Sequence, residues 1–175
     1  MPVSGSAAPN VRVMSIRTRL AASLIAALAL LGGVAAPALA VTKLTHSQAA
    51  SQLSNAGITW SSSGNCSNRY NSTCTSFEQI NQDTITGIIT FKNANGCAVN
   101  ITGGTETGHA SGTYSHWNGY KVDISFSTCV SNWITSRYTY IGLRGDGAPM
   151  YQSPAGNVYA KESSHWDITY YSCGC

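Results

Sequence analysis

The alternation of apolar and polar positions changes period along the chain. Residues 20–31 (LAASLIAALALL) form an unbroken apolar run. Further on, Ser47-Gln48-Ala49-Ala50-Ser51-Gln52-Leu53 places its apolar residues at about helical spacing, behind an N-cap-like Thr45 and before Gly57. That pattern predicts a short helix. A second helix is predicted from Thr75 or Ser76, with Glu78 and Gln79 in its first turn. Phe77, Ile80, Ile85, Ile88 and Ile89 supply an apolar face interrupted by Gly87, and Asn95-Gly96 supplies the stop. From Cys97 onward the signals are those of strands. Residues 97–102 are β-prone and closed by Gly103-Gly104, 120–127 alternate, 137–143 are aromatic and β-branched, and 165–171 alternate again. Helices followed by a small antiparallel sheet predict an α+β domain.

The apolar run belongs to a different kind of segment. Arg17 and Arg19 precede it, and Gly32, Gly33, Pro37 and Ala38-Leu39-Ala40 follow, giving the basic, apolar and small-residue regions of a signal peptide cut after Ala40. A dozen apolar residues are few beside the roughly 20 of a spanning helix, so no stable membrane anchor is expected after cleavage. Residues 1–40 are read as leader and 41–175 as one secreted domain, a monomer.

Composition sharpens this picture. Only 10% of the residues are charged, against about 25% in an average soluble protein. The net charge of +3 arises from Arg12, Arg17 and Arg19 in the leader, because seven basic and seven acidic residues remain beyond Ala40. With no basic cluster, a nucleic-acid partner is not expected. Cys66, Cys74, Cys97, Cys129, Cys173 and Cys175 all lie beyond the leader. An even count in an exported chain argues for three disulfides. Cys66 and Cys74 flank a polar turn and suit a local bridge, which assigns Cys97 and Cys129 to the C-terminal Cys-Gly-Cys. A four-cysteine zinc site is disfavoured by the lack of any C-x-x-C pair.

Chemistry concentrates in two blocks. In the first, His116 precedes a turn at Gly119 and a strand in which Val122, Ile124 and Phe126 share one face and Asp123 and Ser125 the other. In the second, Glu162 stands three residues before His165, and alternation sets Trp166, Ile168 and Tyr170 opposite His165, Asp167 and Thr169. Two histidines and a carboxylate are a ligand set of catalytic zinc, which keeps a further position for water, and a nearby Glu suits a base. Asp167 fits equally a residue that steadies a ligand and a polar strand position. His46 carries no partner signature and is assigned to the surface.

The run His116-Trp117-Asn118-Gly119-Tyr120-Lys121-Val122-Asp123-Ile124 resembles the H-x-x-G-x-A-x-D-[IL] signature of the zinc D-alanyl-D-alanine carboxypeptidases, a family that includes D-Ala-D-Ala dipeptidases and phage L-alanyl-D-glutamate endopeptidases. Glu162-Ser163-Ser164-His165 is similar to its second signature. The resemblance spans about residues 97–171, and the six cysteines are no part of it. It implies Zn2+ held by His116, Asp123 and His165, with Glu162 as general base. The implied function is a secreted metallopeptidase that cleaves peptidoglycan stem peptides as a D,D-carboxypeptidase or endopeptidase. His109, Ser115 and Lys121 are candidates for substrate binding. The family's usual Arg ahead of the first signature is missing from Ile101-Thr102-Gly103-Gly104-Thr105-Glu106, and Lys121 stands where Ala is usual. The alternative function is a non-catalytic zinc-containing module that binds cell wall or protein.

Overall fold

The computed structural model describes residues 41–171. The leader, Cys173 and Cys175 lie outside the described residues. The first helix, α1 (His46–Asn55), follows the short strand β1 (Lys43–Leu44). Its N-terminus is set by a reciprocal cap: the Thr45 hydroxyl accepts from the Gln48 amide, and the Gln48 side chain accepts from the Thr45 amide. Ala49 and Leu53, one turn apart, are fully buried. His46 is half-buried rather than a surface residue. Its Nδ1 accepts from the Phe77 amide at 3.0 Å and its ring stacks on Phe77.

β2 (Thr59–Trp60) and β3 (Ile80–Asn81) come next, and only then α2 (Gln82–Asn95). The second helix thus begins six or seven residues later than its apolar spacing predicts. Residues 76–81 instead form a turn and a strand whose Ile80 pairs with Leu44. The Gln79 amide donates to Leu44 O. These long-range bonds outweigh local periodicity. The predicted stop holds, with Gly96 left-handed at φ 65° after the last turn. Gly87 does not interrupt the buried face but belongs to it: a Cβ there would collide with the Tyr170 ring, so its bare backbone admits that ring.

β4 (Asn100–Gly103), β5 (Lys121–Ser125), α3 (Thr128–Arg137), β6 (Thr139–Leu143), β7 (Pro149–Gln152), β8 (Val158–Lys161) and β9 (His165–Thr169) complete the chain. The fold is α+β, but helix α3 falls between strands, so the helices are not all N-terminal. Seven strands form one sheet in the order β2-β4-β5-β9-β8-β7-β6, antiparallel except for β2 beside β4, while β1 and β3 pair separately. One face of the sheet buries Val122, Ile124, Tyr159, Trp166, Ile168 and Tyr170 against Leu53, Ile85, Ile88, Phe91, Val130 and Ile134 of the helices. These side chains leave water entirely or nearly so, and each contributes about 1.5–3 kcal/mol. The opposite face of β5 and β9 is left for polar groups.

Disulfides join Cys66 to Cys74, as expected, and Cys97 to Cys129. The second corrects the assignment of Cys97 and Cys129 to the C-terminal cysteines: the two lie 5.9 Å apart between Cα atoms, a spacing suited to a direct bridge. This bond ties the end of α2 to the start of α3. Two disulfides point to an oxidising environment. No helix among the described residues is long and apolar enough to cross a membrane.

Candidate metal centre

Strands β5 and β9 lie side by side in the middle of the sheet, with Asp123 opposite Asp167 and Ser125 opposite His165. This register puts the two carboxylates and the His165 imidazole on the same polar face. His116 arrives from a turn preceding β5. The Gly119 amide donates to His116 O and the Tyr120 amide to Ser115 O, while Ser115 Oγ accepts from the Asn118 amide. Gly119 is left-handed at φ 78°, and a Cβ there would meet Gln79 O at 2.6 Å, so the turn needs glycine to dock on residues 79–81. Its carbonyl accepts from the Asn81 amide and the Thr84 hydroxyl. Ser115 is buried and shapes the turn.

The donor atoms converge. His116 Nε2 is 3.3 Å and His165 Nε2 3.4 Å from Asp123 Oδ1. His116 Nδ1 is 2.7 Å from Gly104 O, so that nitrogen carries a proton and Nε2 is the one turned to the centre. His116 and Asp123 are 4% and 5% exposed. Despite the nearby imidazoles, Asp123 Oδ1 is buried with no hydrogen-bond partner, and so is Asp167 Oδ1. Orphaned buried carboxylate oxygens are costly, and both lie near His116 Nε2, Asp167 Oδ1 at 3.8 Å. Donors bound about 2.0–2.1 Å from a tetrahedral zinc lie roughly 3.3–3.4 Å apart. The donor chemistry and the orphaned oxygens at this centre suit a bound cation.

The group among the described residues whose ligand atoms lie close enough together to share a metal ion contains His109 rather than the expected His165. His109, His116 and Asp123 present ligand atoms within 4.8 Å of one another and form a group able to hold a metal ion. The His109 ring stacks on that of His116 with centroids 3.8 Å apart. Its Nε2 lies 3.1 Å from Glu106 Oε1, and its Nδ1 is 3.7 Å from Asp123 Oδ2. Glu106 is 2% exposed and accepts from the amides of Ser76 and Gly104. Burial alone would raise its pKa, but the bonds from His109 and those amides hold it below the usual carboxylate range. Similarly, burial would raise Asp123, but the facing imidazoles, His116 foremost, lower it, and burial would lower His116, but Asp123 first and Asp167 next raise it.

Glu162 stands at the rim, with Oε2 3.3 Å from His165 Nε2. Its Oε1 accepts from Arg144 Nη2. Arg144, from the turn between β6 and β7, also donates to Asp167 Oδ2 at 2.7 Å and to both oxygens of Asp146. Lys121 Nζ lies 2.7 Å from the same Asp167 oxygen, so the Lys121 ammonium is ion-paired within the protein. Asp167 thus takes two cations through Oδ2 and turns Oδ1 toward His116. All these groups border an open cavity of about 570 Å³.

Glu106 and Arg144 were not legible as site residues. Glu106 follows β4 directly after Gly104-Thr105, and nothing in its sequence neighbours marks it as buried. Arg144 reaches the cavity only because β6 to β9 fold back as a meander. No protein-family model, curated protein or solved structure matches this chain.

Proposed function

We propose that this protein is a secreted zinc-dependent peptidase acting on peptidoglycan stem peptides. The observation that carries the reading is the convergence of two imidazole nitrogens on one orphaned, buried Asp123 oxygen, with the Glu162 carboxylate beside them in an open cavity. His116, Asp123 and His165 hold the cation. When bound, zinc supplies Lewis acidity and lowers the pKa of a coordinated water. Glu162 Oε2 takes the proton of the attacking water and passes it to the leaving amine. Arg144, by engaging Oε1, keeps Oε2 turned toward His165. The disulfides and the leader pattern support export.

A second reading, a zinc-containing module that binds cell wall without cutting it, is favoured by the Arg144–Glu162 ion pair, which occupies one oxygen of the base. Metal analysis of the purified protein, then incubation with purified peptidoglycan with and without a chelator, separates the two. Zinc together with chelator-sensitive release of D-alanine or muropeptides supports the peptidase. Zinc without cleavage of wall or defined stem peptides supports the module, and absence of bound metal refutes both.

A further inference from the structure

The Glu106–His109 pair has the form of a carboxylate that orients a metal-binding imidazole. The Glu106 carboxylate can only accept, so His109 Nε2 donates to it and His109 Nδ1 is left with a free lone pair. That nitrogen faces Asp123 Oδ2. His116 is fixed by the opposite nitrogen, giving its Nδ1 proton to Gly104 O and turning Nε2 toward Asp123. Two stacked imidazoles therefore turn one nitrogen each to the same carboxylate, His109 at Oδ2 and His116 at Oδ1, and His165 approaches Oδ1 as well.

We propose that His109, fixed by buried Glu106, is a fourth protein donor that closes the cation site in the resting protein and must be displaced to open it. This rests on the metal-centre reading above and adds to it a means of regulation. His109, His116 and Asp123 present donors within 4.8 Å of one another, and His165, 3.4 Å from Asp123 Oδ1, would complete the four of a closed tetrahedral zinc site, whereas a catalytic site keeps one position open. His165 and Asp123 sit on central strands, but His109 belongs to the connection between β4 and β5, with Gly108 and Gly112 at φ +108° and +154° close by. A second, independent observation gives the displacement a purpose. His109 borders both the 570 Å³ cavity and a neighbouring one of about 270 Å³ that reaches Ser111 and Trp117. With Gly108, it lines the stretch that the two share. Moving it frees a coordination position and joins the two cavities into one groove, so an extended ligand spanning both opens the centre as it binds.

The test uses the full secreted chain loaded with zinc or cobalt(II). Competition with a chromophoric chelator should show His109→Ala binding zinc about 10–100-fold more weakly than wild type, with Glu106→Gln weakened in the same direction. Azide should leave the visible spectrum of the wild-type cobalt protein unchanged and shift that of His109→Ala, whose vacated position admits it. His109→Ala lies in a loop and leaves the core intact, which keeps the test decisive even where Glu106→Gln, a buried change, lowers the melting temperature. A zinc affinity of His109→Ala within twofold of wild type, or equal azide responses in the two proteins, overturns the proposal. A wild-type chain that takes up no zinc refutes the metal-centre reading itself.

Discussion

Gly103 tests how tightly the sheet positions the Asp123 carboxylate. It pairs with Asp123 across β4 and β5 at an irregular point of the ladder. A Cβ at position 103 would lie 2.5 Å from Asp123 Oδ2 and 3.1 Å from its Cβ and Cγ. Relaxed contact with a carbon needs about 3.5 Å, so Gly103→Ala forces the carboxylate back by roughly 1 Å. Metal sites tolerate donor displacements of only about 0.2 Å, and misplacement by 1 Å costs about 100-fold where geometry is tight. Zinc affinity should fall about 100-fold, or about 2.8 kcal/mol, and overpacking should lower stability by about 1–3 kcal/mol. Gly145→Ala, on the rim of the same cavity but with nothing within 4 Å of its new methyl, is the control. Chelator competition and thermal melts of the metal-free proteins measure both effects. A Gly103→Ala protein that binds zinc within threefold of wild type would falsify the claim that Asp123 is a ligand held by that wall.

Glu162→Gln should retain zinc within a few-fold and lose about 10²–10⁴ of any cleavage of stem peptides; near-normal turnover would remove Glu162 from the role of base. Replacing Cys97 and Cys129 together by Ala opens a loop of 32 residues and should cost about 4 kcal/mol, against about 2.5 for Cys66 and Cys74, separated by 8. Urea unfolding reads the difference, and equal losses would contradict the loop-length argument. Burial first of all holds the His46 pKa below its ordinary 6.5, and the nearby Glu78 only partly opposes this. The unfolded chain therefore takes up that proton before the folded one does. The contribution of His46 is present above pH 6.5 and fades as pH falls toward its folded value. Melting temperature should drop over that window in the wild type and less in His46→Gln, whose amide oxygen can still accept from Phe77; identical slopes would rule His46 out.

The parts of the fold set by short-range chemistry were readable in advance. Thr45 and Gln48 announce the start of α1, Gly96 the end of α2, and strict alternation the two faces of β5 and β9. What was hidden depends on partners far along the chain. Phe77 and Ile80 have helical spacing, yet His46 and Leu44 claim their backbone for a turn and a strand. Helix α3 escaped because only Val130 and Ile134 anchor its ten residues, too few for a periodic signal, although Ser127 caps it. In the site, His116, Asp123, Glu162 and His165 stand out by type and spacing, and the sheet brings them together. Lys121 lines the same cavity, but its ion-pair partner Asp167 lies 46 residues away and no local pattern announces it. Glu106 and Arg144 acquire their places only through the register of the whole sheet.

The pairing of Asp123 with Asp167 has a consequence for the backbone as well. Like charges directly opposite on adjacent strands repel; Lys121 and Arg144 offset this at Asp167 and the facing imidazoles at Asp123. On the metal-centre reading, a cation entering beside these carboxylates would bear directly on the seam between β5 and β9, in the middle of the sheet. Each tenfold of free cation above the dissociation constant adds about 1.4 kcal/mol to the folded state. Amides of Val122, Asp123, Trp166 and Asp167 should then exchange with deuterium markedly more slowly, making the sheet's own hydrogen bonds a reporter of occupancy.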